Sequence, residues 1–189
     1  MALPMEKKEE FTFADFLTWN EGERIEIISG EAVMMASPTP AHQRILMGLA
    51  AQLYSYLRGK KCEVFPAPFS VRPFEREDDR PQDVRTVVEP DLSVICDPAK
   101  IDEHGCKGAP DLVIEILSPS TSRMDRLVKY DLYQRAGVRE YWIVDPDTRA
   151  VQVHTLEEGL YHAAQVFTGT VPVGVLEDCV IDLKEVFPA

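Results

Sequence analysis

The chain has no apolar run near the roughly 20 residues that a membrane-spanning helix requires, so no membrane association is expected. Cysteine is scarce. Cys62, Cys96, Cys106 and Cys179 are the whole set, and no two stand as Cys-x-x-Cys. That spacing argues against a structural zinc site, and reduced thiols are the expectation. Positive charge is also in short supply, with 20 Lys and Arg against 32 Asp and Glu and a formal net charge of −12. The broad basic footprint of a general nucleic-acid binder is missing. Internal repeats, low-complexity tracts and domain linkers are absent, so residues 1–189 read as one domain with residues 1–10 as a mobile tail. Met1–Glu10 is charged rather than apolar, unlike a signal segment, which points to the cytoplasm.

What is present centres on Glu89 to Asp145. Leu92–Cys96 and Leu112–Leu117 are short apolar runs rich in β-branched residues, each just downstream of a Pro-Asp pair, and both read as strands. Glu115 stands inside the second run. A buried ionised carboxylate without a partner is costly, so a bound cation is one good candidate for its role. Asp91 precedes the first run. If the strands pair, Asp91 and Glu115 meet at one sheet edge and repel, unless a cation lies between them or one is protonated. Hard divalent cations take oxygen ligands, and few of them from protein when a phosphate supplies the rest.

Ser122-Arg123-Met124-Asp125 has capping-box spacing and is expected to open a helix that ends at Gly137. Lys129 on that helix could swing back over the strand end and orient water or offset charge on phosphorus. It could also simply pair with Asp125, four residues earlier. Pro110-Asp111 repeats the Pro-Asp pair. Asp111 and Glu115 share a face but stand roughly 13 Å apart along a strand, so Asp111 is read as a strand-entry residue and Asp91 as the ligand. Arg123, Arg126, Lys129, Arg135 and Arg139 outnumber the acids of that segment. They could face phosphate or form a solvated helix face.

These residues resemble the Uma-type family of restriction endonucleases, within the PD-(D/E)XK nuclease superfamily. The resemblance rests on Ser29-Gly30-Glu31, His42, Pro90-Asp91, Pro110 through Ser118, Lys129-Tyr130, and Gly137 through Asp145, and it covers roughly Phe13 to Phe187. It implies a restriction-endonuclease-like α/β fold and a metal-dependent phosphodiesterase acting on DNA. Asp91, Glu115 and Lys129 would be catalytic, and Asp91 and Glu115 would hold Mg²⁺ or Mn²⁺ with help from a backbone carbonyl near Ile116. Glu31 and His42 would support the site, and a homodimer would be in keeping with related nucleases. One departure is clear: the superfamily lysine usually lies two residues after the acid, where this chain has Leu117. The alternative is an inactive nuclease-fold binding or regulatory module, which the acidic surface favours.

The remainder reads as scaffold. Arg24–Ile28 and Glu31–Ala36 form a hairpin about Ser29-Gly30. Glu31 could equally be a solvated hairpin carboxylate. Thr39 and Pro40 open an amphipathic helix to Arg58, with Ile45, Leu46, Leu49, Leu53 and Leu57 facing a central mixed sheet. Phe74–Thr86 is a charged, turn-rich loop. Arg139–Asp145 is a strand with Tyr141 and Trp142 on opposite faces, Trp142 belonging to the core, and a C-terminal antiparallel meander follows.

Overall fold

Period-two alternation over short β-branched runs and one long helical stripe set the architecture. In the computed structural model, residues 10–19, 24–118 and 122–187 are described. The tail expected over residues 1–10 lies outside them except for Glu10, which pairs with Arg85 at 2.6 Å. In chain order, α1 (Phe13–Phe16) precedes the hairpin of β1 (Ile25–Ile28) and β2 (Glu31–Met34). Next come α2 (Pro40–Leu57), β3 (Glu63–Pro66), β4 (Val71–Arg72) and β5 (Leu92–Ile95). The pair β6 (Ile101–Asp102) and β7 (Gly105–Lys107) leads to β8 (Leu112–Ile116). A π-helical turn over Met124–Lys129 runs into α3 (Tyr130–Ala136) and β9 (Glu140–Asp145). Then follow β10 (Ala150–Glu157), β11 (Leu160–Tyr161), β12 (Gln165–Phe167), β13 (Thr170–Pro172) and β14 (Val180–Asp182).

The main sheet has the order β11-β10-β9-β8-β5-β3, with β12 also paired to β10. β8 and β9 run parallel, joined by the α3 crossover, and the other pairs are antiparallel. The sheet is therefore mixed, as expected, and β9 to β12 form the expected antiparallel C-terminal part. Both faces are covered. Leu112, Ile114 and Ile116 of β8, with Trp142 and Val144 of β9, pack toward Ile45, Leu49 and Leu53 of α2. Val113, Tyr141 and Ile143 pack toward Leu132 and Tyr133 of α3. Alternation along β8 thus sends Glu115 to the α3 face.

Thr39 caps α2 by accepting the His42 N–H at 3.2 Å, with Pro40 in the first turn. All five predicted stripe residues are buried, each worth about 1.5–3 kcal/mol relative to exposure. Ser29 and Gly30 have φ of 52° and 86°, the left-handed pair that a tight hairpin turn demands.

Two readings are corrected. The four thiols are not all reduced, because Cys62 and Cys96 form a disulfide, while Cys106 and Cys179 are free and buried. The register Glu63↔Ile95 brings the two cysteines side by side, a pairing that 34 residues of separation conceal. Ser122 is not the helix cap. Its N–H bonds the Ser118 carbonyl at 3.0 Å, so it already lies within the helix.

Candidate active site

The β5–β8 register Leu92↔Ile114 places Asp91 and Glu115 at the next opposed position. Asp91 Oδ2 accepts the Ile116 N–H at 2.8 Å and lies 3.1 Å from His42 Nε2. The first turn of α2 delivers His42, whose Nδ1 is buried with no hydrogen-bond partner among the described residues. From the other side, the π-helical turn inserts Lys129. Its Nζ donates to Glu115 Oε1 at 2.8 Å and to Glu26 Oε1 at 2.9 Å, and lies 4.0 Å from Asp125 Oδ1. Tyr133 of α3 donates its hydroxyl to the same Glu115 oxygen at 2.8 Å. Glu26 also accepts the Glu89 N–H at 2.9 Å, which ties β1 to the strand entry. Relative exposures are 8% for Asp91, 4% for Glu115, 3% for Lys129 and 2% each for Glu26 and Asp125.

Asp91, Glu115, Asp125, Lys129, His42 and Arg24 line a cavity of about 190 Å³, with residues 35–39 along one side; Glu26 and Tyr133 lie behind it. Three carboxylates, Glu115, Glu26 and Asp125, approach Lys129 within 4.0 Å, and Asp91 faces Glu115 across the strand pair. Burial pushes the Glu115 carboxyl well above the usual range; Lys129 opposes this, and Asp125, Asp91 and Glu26 add to it. Burial alone would lower Lys129, but Glu115, Glu26 and Asp125 outweigh it and hold Lys129 well above its usual value, as an ammonium. Tyr133 is pushed up by burial and by Glu115, so it stays a phenol and donates. One ammonium cannot neutralise the group, which favours either a proton on Glu115 or a bound cation.

Asp91, Glu115, Lys129 and His42 are therefore brought together. Glu31 is not: it is exposed on β2 opposite Ile28 and lines no part of the cavity. Sequence reasoning passed over Glu26, although Ile-Glu-Ile-Ile carries the same anomaly as Glu115, a carboxylate in an apolar strand. Asp125, at capping-box spacing and four residues before Lys129, is buried and lies 4.0 Å from the Lys129 ammonium, as the pairing alternative expects. Leu117, at the usual superfamily lysine position, is buried among Val113, Leu132 and Tyr133. Asp111 serves the strand entry, accepting from Cys96 N at 2.8 Å and from Arg139 at 3.2 Å. Trp142 is fully buried and donates to Glu140 at 2.6 Å, so it is core.

The segment proposed to face phosphate is largely neutralised internally. Arg126 pairs with Asp145, Arg135 with Asp131 and Arg139 with Asp111. Among the described residues no three His, Cys, Asp or Glu side chains converge as a ready ligand set. No helix among them is long and apolar enough to cross a membrane.

Two proteins of Synechocystis sp., slr1290 and sll1609, are 27% and 25% identical to this chain. The first alignment covers 78% of this chain and 72% of the relative, and the second 71% and 74%. A crystal structure from Anabaena variabilis, described as "a putative nuclease belonging to DUF820", superposes with a TM-score of 0.72 at 23% identity. It covers 94% of this chain and 97% of the other, and it establishes the shared fold. The family model Uma2, described as "Putative restriction endonuclease", matches residues 13–183. Since that match spans both the sheet and every residue of the carboxylate–lysine cluster, the chain belongs to the Uma2 family.

Proposed function

We infer that the chain is a metal-dependent endonuclease-like phosphodiesterase that hydrolyses DNA. The convergence of Asp91, Glu115 and Lys129 at the floor of one cavity carries this reading. The donor set fits a hard cation. Asp91 Oδ1 and Glu115 Oε2 make no hydrogen bond to described residues, since the bonds to Ile116, His42, Lys129 and Tyr133 use the other oxygens. Two carboxylate oxygens, with Ile116 alongside, would hold Mg²⁺ or Mn²⁺, and water and phosphate oxygens would complete the shell. Such an ion, when bound, polarises a phosphoryl oxygen and acidifies water.

The chain's own residues supply the rest. Lys129 places a permanent positive charge beside Glu115, where it offsets charge building on a transferred phosphoryl group. His42 and the Ile116 N–H fix the Asp91 carboxylate. Glu26 accepts a second hydrogen bond from the Lys129 ammonium and holds it in place beside Glu115. Tyr133 fixes the Glu115 rotamer and leaves its second oxygen for the cavity. A cytoplasmic setting and a homodimer belong to the same proposal.

Plasmid and single-stranded DNA cleavage with Mg²⁺, Mn²⁺ or chelator tests it, with Asp91→Ala and Lys129→Ala alongside. The expected result is metal-dependent cutting lost in both variants. Cutting that persists in chelator would refute the metal role. Absence of cutting, with no metal bound at Asp91 and Glu115, would favour the binding-module alternative.

A further inference from the structure

Residues 32–62 contain no Asp or Glu, although the chain carries 32 of them. The same stretch holds Arg44, Arg58, Lys60 and Lys61. None of the four pairs with a carboxylate among the described residues, and all four are exposed. α2 and its C-terminal turn are thus basic within a chain whose net charge is −12. On the solvent face of α2, Arg44, Met47, Tyr54 and Arg58 form one stripe at helical spacing. Met47 and Tyr54 are 68% and 64% exposed. Arg44 and Arg58 stand about 21 Å apart along the axis.

The stripe ends in a concave groove of about 460 Å³ where Tyr54, Arg58, Lys60 and Lys61 outnumber one carboxylate, the exposed Glu63. Lys60 lies 3.2 Å over the Tyr56 ring, which holds its charge at the rim. The other end of α2 carries His42, in contact with Asp91.

We propose that this face of α2 and its C-terminal groove form a track for a single nucleic-acid strand leading to the carboxylate–lysine cavity. A basic groove beside an exposed aromatic ring is the pattern by which single strands bind, through backbone charge and base stacking. The track gives so acidic a protein a place to hold a polyanion: four exposed cations stand together on residues 32–62, a stretch with no acid of its own. The recessed cavity suits a flexible strand better than an intact duplex. The assignment of nucleic acid as the ligand rests on the proposed nuclease reading, but binding is measurable without cleavage.

The test is fluorescence anisotropy of a labelled single-stranded oligonucleotide and its duplex, in chelator, with the full chain. The native protein is compared with Arg58→Gln/Lys60→Gln/Lys61→Gln, with Tyr54→Ala, and with Arg76→Gln/Lys184→Gln as a surface-charge control. Cations near a helix C-terminus also offset its dipole, so melting temperatures are recorded for each variant. The triple variant should bind at least tenfold more weakly, with the salt dependence of binding flattened by about two log units per decade. Tyr54→Ala should also weaken binding, and the control should bind as the native protein does.

Unchanged affinity and salt slope in the triple variant would overturn the track, as would duplex bound more tightly than single strand. A native protein that binds no strand, but dimerises through Tyr54, would also overturn it and make a second copy the occupant of this face. Strand binding that falls in the triple variant would support the track even if no metal ion ever produced cutting, which separates it from the nuclease proposal.

Discussion

Replacing Lys129 with Met removes the ammonium while nearly conserving side-chain length and volume. Glu115 and Glu26, bonded to Nζ at 2.8 and 2.9 Å, then lose their common partner. Both are almost wholly buried. Removing one partner of a buried ion pair strands the other charge and costs about 3–5 kcal/mol. The loss should depend on pH with a definite sign. Burial first, with the nearby acids, already raises the Glu115 carboxyl in the folded state, and Lys129 is the group that opposes this. Without Lys129 the folded value rises further. A carboxyl raised by folding binds its proton more tightly in the folded state, so the penalty is absent below the unfolded carboxyl range and grows as pH climbs toward the folded value. Lys129→Met should thus lose about 3–5 kcal/mol at pH 8 and clearly less at pH 5. Urea unfolding followed by circular dichroism at both pH values measures it. A loss under about 1 kcal/mol at pH 8, or equal losses at both, would refute the view that these carboxylates are dry and coupled. Adding Glu115→Gln should recover much of the stability, because it removes a stranded charge.

Other consequences are as direct. Asp91→Ala leaves the buried Ile116 N–H without its acceptor, so beyond loss of cleavage it should cost about 1–3 kcal/mol in thermal or urea unfolding. Glu26→Gln should weaken metal-dependent cutting several-fold and shift its pH profile, whereas Glu31→Gln should leave both unchanged; parallel cleavage assays decide between the two glutamates. Metal binding should tighten as pH rises, because burial raises the Glu115 carboxyl and a bound cation favours its ionised form; isothermal titration in buffers of different ionisation enthalpy reads any proton released. The Cys62–Cys96 bond closes a loop of 34 residues, so Cys62→Ser/Cys96→Ser should lower stability by up to about 4 kcal/mol if loop entropy dominates, as read from urea midpoints.

Local rules made much of this protein legible. Helix α2 needs only a threonine cap, a first-turn proline and five aliphatic residues at helical spacing, all of which are adjacent in sequence. The hairpin at Ser29-Gly30 needs only a pair that tolerates positive φ. Glu115 declared itself because an ionisable group in a β-branched run demands a partner wherever the strand lies, and Asp91 followed from simple pairing of two apolar runs. The same logic reaches Glu26 once applied to Ile25–Ile28, so that residue was legible though not singled out.

Tertiary structure decided the remainder, because it depends on which distant segments touch. Sequence spacing left two places for Lys129, on Asp125 or back over the end of the Glu115 strand; the π-helical turn and the parallel placement of β8 and β9 carry it to Glu115 and Glu26. Strand register, not cysteine spacing, joined Cys62 to Cys96. The cations of the α3 segment read as available, yet Asp145 and Asp111 come from elsewhere in the fold to neutralise two of them. The composition fixed how much charge the chain carries. The packing of α2 against the sheet decided that Ile45, Leu49 and Leu53 are buried while Arg44 and Arg58 face solvent.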